Sequence, residues 1–165
     1  MVIWDITDPT RPDSIFSAQA KEMQERFGSR YAGKERGIEG ILGEFIELFG
    51  LGEETDEGNN PYYGMVRQLV PRLNEECTRE QFLSYLSMLS HMAPAFKQLL
   101  RLKDPRALLL MGFWYGKVGD TVWWIERRAR LEGQAICIYL KKFHGDDMRL
   151  MGLLDWLRRM IGMVG

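Results

Sequence analysis

Apolar residues recur along this chain at intervals of three and four, the spacing that lines one face of a helix. Phe16, Ala20, Met23 and Phe27 share a face behind Asp13 or Ser14 as a cap, with Gly28 as the stop. Ile38, Ile41, Leu42, Phe45, Leu48 and Phe49 form a second stripe that Gly50 ends. From Pro61 onward Met65, Val66, Leu69, Val70 and Leu73 repeat the pattern, and Pro71 must bend or end that helix. Thr78-Arg79-Glu80-Gln81 has the form of a capping box, and Phe82, Tyr85, Leu86 and Leu89 follow it. Pro94 opens a short helix with Phe96, Leu99 and Leu100 inward.

Asp104-Pro105 joins an N-cap to a proline at the first helical position. Behind it the segment from Ala107 to Gly116 carries no charge, which predicts a central helix enclosed on all sides. Gly112 and Gly116, four apart, suit the close approach of another backbone. Gly119-Asp120-Thr121 breaks that helix. Ile125, Ala129, Ile136 and Leu140 mark the inner stripe of the next, where Glu126/Arg130 and Arg128/Glu132 stand at ion-pair spacing. Past His144-Gly145, Asp146 is the expected cap of a last helix with Leu150, Leu153, Leu154, Leu157 and Ile161 inward. No strand pair, repeat or heptad array appears. The pattern predicts an all-α domain of about seven or eight helices around a central apolar one.

Composition agrees: Leu, Met, Glu, Arg and Lys dominate, and a length of 165 residues suits one domain, taken here as 1–165. Within it, 1–49 reads as an N-terminal helical arm with Val2–Ile6 as a short extended segment, and 61–165 as the core. The stretch Gly50–Asn60, GLGEETDEGNN, is acidic, Gly-rich and without apolar periodicity, which predicts a flexible loop. It lacks the ligand register of a calcium loop. The longest apolar run is about half a membrane span, so no span is expected. Met1–Pro12 has no apolar core of a signal peptide, and Cys77 and Cys137 lack metal or redox spacing. A reduced intracellular protein is the expectation. Charge changes the picture slightly: residues 1–60 hold 6 basic and 13 acidic side chains, and 61–165 hold 16 and 10. Basic residues spread over helix faces suit docking on the acidic part better than direct nucleic-acid contact.

Chemistry is sparse. With His91 and His144 alone, no metal centre or cofactor is expected, and GxSxG, phosphate-loop and HExxH motifs are absent. Asp146-Asp147 suits a helix start better than a diphosphate site. Glu126 and Glu132 read as surface ion-pair partners, and Ser84, Ser87 and Ser90 line one helix region without an assigned base. Aromatic density stands out instead: Phe113, Trp114, Tyr115, Trp123 and Trp124 crowd one stretch, beside Met111. Core packing accounts for part of it. Because five rings exceed what one small core takes, a lipophilic pocket is expected, lined by Met88, Met92, Phe96, Met111, Trp114, Tyr115, Trp123 and Tyr139. Tyr115 or Tyr139 would supply the hydroxyl anchor. For an enzyme acting on a hydrophobic substrate, of cyclase or isomerase type, His91, Tyr115, Asp120 and Glu126 are the groups to examine. The balance leans against an enzyme. A dimerisation scaffold with a fully packed core is the third possibility.

DPRALLLMGFWYGKV, followed by WWIERRARLEGQAICIYLKKFHGDD, resembles the C-terminal effector region of fungal zinc-cluster transcription factors, nearest to the sterol uptake control protein group. PYYGMVRQLVPRL and FLSYLSML with FKQLLRLKDP resemble the same region, so the similarity runs from about Pro61 to Asp147. These are recurring phrases of a family, not a catalytic signature. The resemblance implies an all-helical regulatory domain that holds a sterol-like ligand, self-associates as a homodimer and moves between cytoplasm and nucleus. The family's DNA-reading module needs six cysteines around two zinc ions, and the two cysteines here cannot build it. The chain therefore fits an isolated effector domain or a stand-alone relative.

Overall fold

The computed structural model describes residues 37–119, 121 and 123–163, without the side chains of Trp123 and Trp124. The arm at Val2–Ile6 and the helix expected over Phe16–Phe27 lie outside the described residues. The described part is all-α, as the pattern predicts. Its helices are α1 (Gly43–Phe49), α2 (Tyr63–Leu69), α3 (Arg79–Ser90), α4 (Pro94–Arg101), α5 (Pro105–Val118), α6 (Trp123–His144) and α7 (Met148–Met160), with one 3-10 turn at Val70–Arg72.

Local signals set most boundaries. Thr78 Oγ1 accepts from Gln81 N at 3.3 Å while Gln81 Oε1 accepts from Thr78 N at 3.2 Å, so the expected capping box is formed. Pro71 tightens the end of α2 into the 3-10 turn, because it has no N–H to donate. Gly50 closes α1 in the left-handed region, φ 65°. Two boundaries differ from expectation. The helix expected from Ile38 begins only at Gly43, since Gly37 and Gly40 hold φ of 89° and 78° and Leu42 is extended. Asp147, not Asp146, caps α7, accepting from Arg149 N and Leu150 N at 3.1 Å each.

Helix α5 is the axis of the molecule. Ala107, Leu109, Leu110, Phe113, Trp114 and Val118 are wholly buried, and α2, α3, α4, α6 and α7 all pack on it. From α1, Phe45 meets the Phe113 ring edge-on at 5.5 Å, and Trp156 of α7 approaches the same ring at 5.3 Å. The α6 stripe of Ile125, Ala129, Ile136 and Leu140 is buried as predicted. Gly112 admits a side chain rather than a backbone: a β-carbon there would lie 2.5 Å from Leu157 Cδ2 and 3.4 Å from Ile136 Cγ2. This is where α5, α6 and α7 converge.

The acidic stretch 50–60 has no helix, as expected, and its own polar groups tie it down. Leu51 and Thr55 are buried, Gly52 N donates to Thr55 Oγ1 at 2.7 Å, and Asn60 Nδ2 donates to Phe49 O at 3.0 Å. The start of α5 is anchored to this region. Asp104 Oδ2 accepts from Ala107 N at 3.0 Å and from the Tyr62 hydroxyl at 2.8 Å. Arg106 lies over the Tyr62 ring at 5.2 Å and donates to Leu48 O at 3.1 Å. Arg67 likewise donates to Glu39 O. Basic side chains of the later part thus reach the acidic part through backbone carbonyls.

Gly112→Ala should destabilise the fold by about 1–3 kcal/mol, because a β-carbon 2.5 Å from Leu157 Cδ2 forces that buried side chain to shift. Gly152→Ala, with nothing within 4 Å, should stabilise by about 0.5–1 kcal/mol through helix propensity. Urea unfolding of both variants checks the pair. Burial pushes the Tyr62 and Tyr85 hydroxyls up to about 12, with the Asp104 bond adding to the first. The unfolded chain then loses these protons first, so stability should hold below about pH 10 and fall between pH 10 and 12. A series of melts across that range checks it.

Candidate functional site

Helical spacing builds one apolar groove. Leu108, Met111 and Tyr115 stand on one edge of α5, and Glu132, Ala135, Ile136 and Tyr139 on the facing edge of α6. Leu100 and Lys103 close the end nearest α4, leaving an open groove of about 160 Å3. The α4–α5 corner places Lys103. Its N–H returns to Leu100 O at 3.0 Å and the Asp104 N–H to Leu99 O at 2.9 Å, a Schellman-type stop that forces Lys103 to φ 56°. Lys103 is the sole non-glycine residue at positive φ among the described residues. Its ammonium lies 5.9 Å from the centre of the Tyr139 ring.

The groove is apolar along its floor and charged at its rim, with Lys103 and Glu132 as the ionic groups. Tyr115 is buried, and its hydroxyl has no hydrogen-bond partner among the described residues. Burial first, and then the Glu132 carboxylate, hold its pKa well above the usual tyrosine range. It is a neutral donor at physiological pH, suited to anchor a polar group and unsuited to act as a base. Beyond Tyr139 the apolar surface continues to Phe143, whose ring is 4.8 Å away and largely exposed.

The expected lining residues divide between different places. Met111, Tyr115 and Tyr139 meet in the groove. Met88, Met92 and Phe96 instead wall a separate cavity of about 30 Å3 between α2 and the α3–α4 corner, far too small for a lipophilic ligand. Trp114 is core: it is fully buried, and its Nε1 donates to Tyr85 O at 2.8 Å. Phe113 and Trp114 belong wholly to the core, and Tyr115 is buried at the edge of the groove. The Trp123 side chain lies outside the described part.

The groups named for catalysis are likewise apart. Glu126 is exposed and pairs with Arg130 at 3.2 Å, while Arg128 and Glu132 do not form the second pair their spacing allows. Glu126 and Tyr115 both border a cleft of about 220 Å3 at the C-terminal end of α5, with no histidine near them. His91 is in the small cavity instead, and Asp120 lies outside the described residues. The Ser87 and Ser90 hydroxyls approach His91 Nδ1 at 3.2 and 3.1 Å, so the serines left without an assigned base do have an imidazole beside them. This is not a nucleophile–base pair. His91 Nδ1 is also 2.9 Å from Ser87 O, so it is shared among three oxygens at the end of its own helix rather than aimed at one serine.

Among the described residues no three His, Cys, Asp or Glu side chains gather to hold a metal ion, and no helix is long and apolar enough to cross a membrane. No protein-family model, curated protein or solved structure matches the chain.

Cys137 is buried beneath α6, and that burial pushes its thiol up to about 11. Cys77 is only half-buried. At pH 8 a disulfide-exchange reagent should therefore modify Cys77 readily and Cys137 only on unfolding, a stepwise release that thiol titration with and without denaturant would reveal.

Proposed function

We propose that this chain is a regulatory effector domain whose α5–α6 groove receives part of a lipophilic, sterol-like molecule. The carrying observation is the groove itself: Leu100, Leu108, Met111, Ile136 and Tyr139 form an apolar trough beside Tyr115, with Lys103 and Glu132 at its rim. Its volume of about 160 Å3 is close to that of a cavity that accepts one benzene ring. One ring or branched tail fits inside, and the remainder of the ligand lies along the exposed surface toward Phe143. The resemblance from about Pro61 to Asp147 to fungal effector domains supports the same reading, with occupancy passed on through α5 to the control of a transcription factor in cytoplasm and nucleus.

A homodimer is a second reading supported by α6. Leu131 and Ile138 are exposed one heptad apart, with exposed Ala135 between them, so the stripe adjoins the groove. For an enzymatic role support is thinner: Tyr115 and Glu126 border one cleft, but His91 lies in a separate cavity.

A fluorescent sterol titrated into the purified protein should bind saturably at one molecule per chain. Ala135→Trp, at an exposed position in the groove wall, should weaken binding at least tenfold and move stability by less than about 0.5 kcal/mol. Equal affinity in this variant, or no saturable binding by the native chain, would remove the groove from the ligand site. Leu131→Glu with Ile138→Glu should turn a dimer into a monomer in light scattering, if α6 is the contact.

A further inference from the structure

The small cavity between α2 and the α3–α4 corner has an unusual chemistry. Its walls include three thioethers, Met65, Met88 and Met92, the His91 imidazole, the Gln68 amide and the Glu57 carboxylate. Gln68 Oε1 is buried with no hydrogen-bond partner. On the tautomer with its proton on Nδ1, His91 donates to Ser87 O at 2.9 Å and Nε2 carries the lone pair. Asn60, also in the wall, is already satisfied: Nδ2 donates to Phe49 O and Oδ1 accepts from Tyr62 N.

The Gln68 oxygen and the Glu57 carboxylate add acceptors beside the three thioethers and the imidazole, and no Lys or Arg is in the cavity wall. An unsatisfied buried acceptor costs about 1–3 kcal/mol, so the cavity favours a guest that brings positive charge or donors. Its volume of about 30 Å3 limits that guest to the size of a single water or a bare ion. Hard cations such as calcium require a cage of six or more oxygens, which is absent here. Neutral thioethers with one imidazole select a soft monovalent ion. A ligating histidine characteristically donates its other N–H to a backbone carbonyl, and Ser87 O stands 2.9 Å from His91 Nδ1, in place for that bond.

We propose that this cavity is a soft-metal site that takes one Cu(I) ion on Met65, Met88, Met92 and His91 Nε2, with Gln68 and Glu57 beside it. The site is separate from the lipophilic groove and uses none of its residues. It escapes a search for clustered His, Cys and carboxylates because its main donors are methionines.

Silver(I), a redox-inert ion of the same charge and softness, is the probe. The experiment uses the full chain with Cys77→Ser and Cys137→Ala, which removes competing thiols, and with methionine ε-methyl groups labelled for NMR. At one equivalent the Met65, Met88 and Met92 methyl signals should shift together, while exposed Met148 stays in place. Met88→Leu with Met92→Leu conserves volume and should weaken silver binding at least 100-fold. Should the cysteine variant not fold, the unaltered chain gives the same test: its thiols take the first equivalents, and the three methyls must move together afterwards. The proposal fails if these methyls do not shift together, if the double leucine variant binds silver equally well, or if the cavity retains only a water when silver is present.

Discussion

Everything in this protein depends on burying one helix completely. From Ala107 to Val118 almost every side chain of α5 is removed from water, so the other elements must cover all of its faces at once. Gly112 sets how closely they can do so. Without a β-carbon there, Leu157 of α7 and Ile136 of α6 settle against the α5 backbone, and the three longest helices share one crossing. The polar ends are fixed separately. At the start Asp104 joins the α5 cap to Tyr62, and near the end Lys117 donates to Leu73 O and Glu75 O. The same burial of Lys117 lowers its pKa, the usual desolvation effect on an ammonium.

This enclosure decides what the aromatic residues do. Phe113 and Trp114 are used inside, one in a cluster with Phe45 and Trp156, the other bound to Tyr85 O. The edge of α5 at Leu108, Met111 and Tyr115 borders the groove, where α6 faces it with small Ala135 between larger neighbours. A lipophilic surface results, with an un-ionised phenol at its base and two opposite charges at its mouth. The cavity behind Met88 is its chemical opposite, small and rich in lone pairs.

The amino-acid sequence by itself determined the helices. Three-four spacing, the Thr78 and Asp104 caps, Pro71, Pro94, Pro105 and the Gly50 stop act within a turn or two of chain, so their physics is local and legible. It also determined the inner stripes of α3, α6 and α7 and the central place of α5. Where a boundary moved, the reason was equally local but ambiguous: Asp146 and Asp147 are both competent caps, and only backbone geometry at the turn selects one. Packing decided the rest. No periodicity distinguishes Trp114, sealed in the core, from Tyr115, which borders a groove, since that depends on which helix arrives from the other side. The described residues grouped by aromatic and methionine content divided for the same reason. Contact between α2 and the α3–α4 corner brought Met65 and Gln68 to Met88, His91 and Met92, across a separation in sequence that no local rule spans.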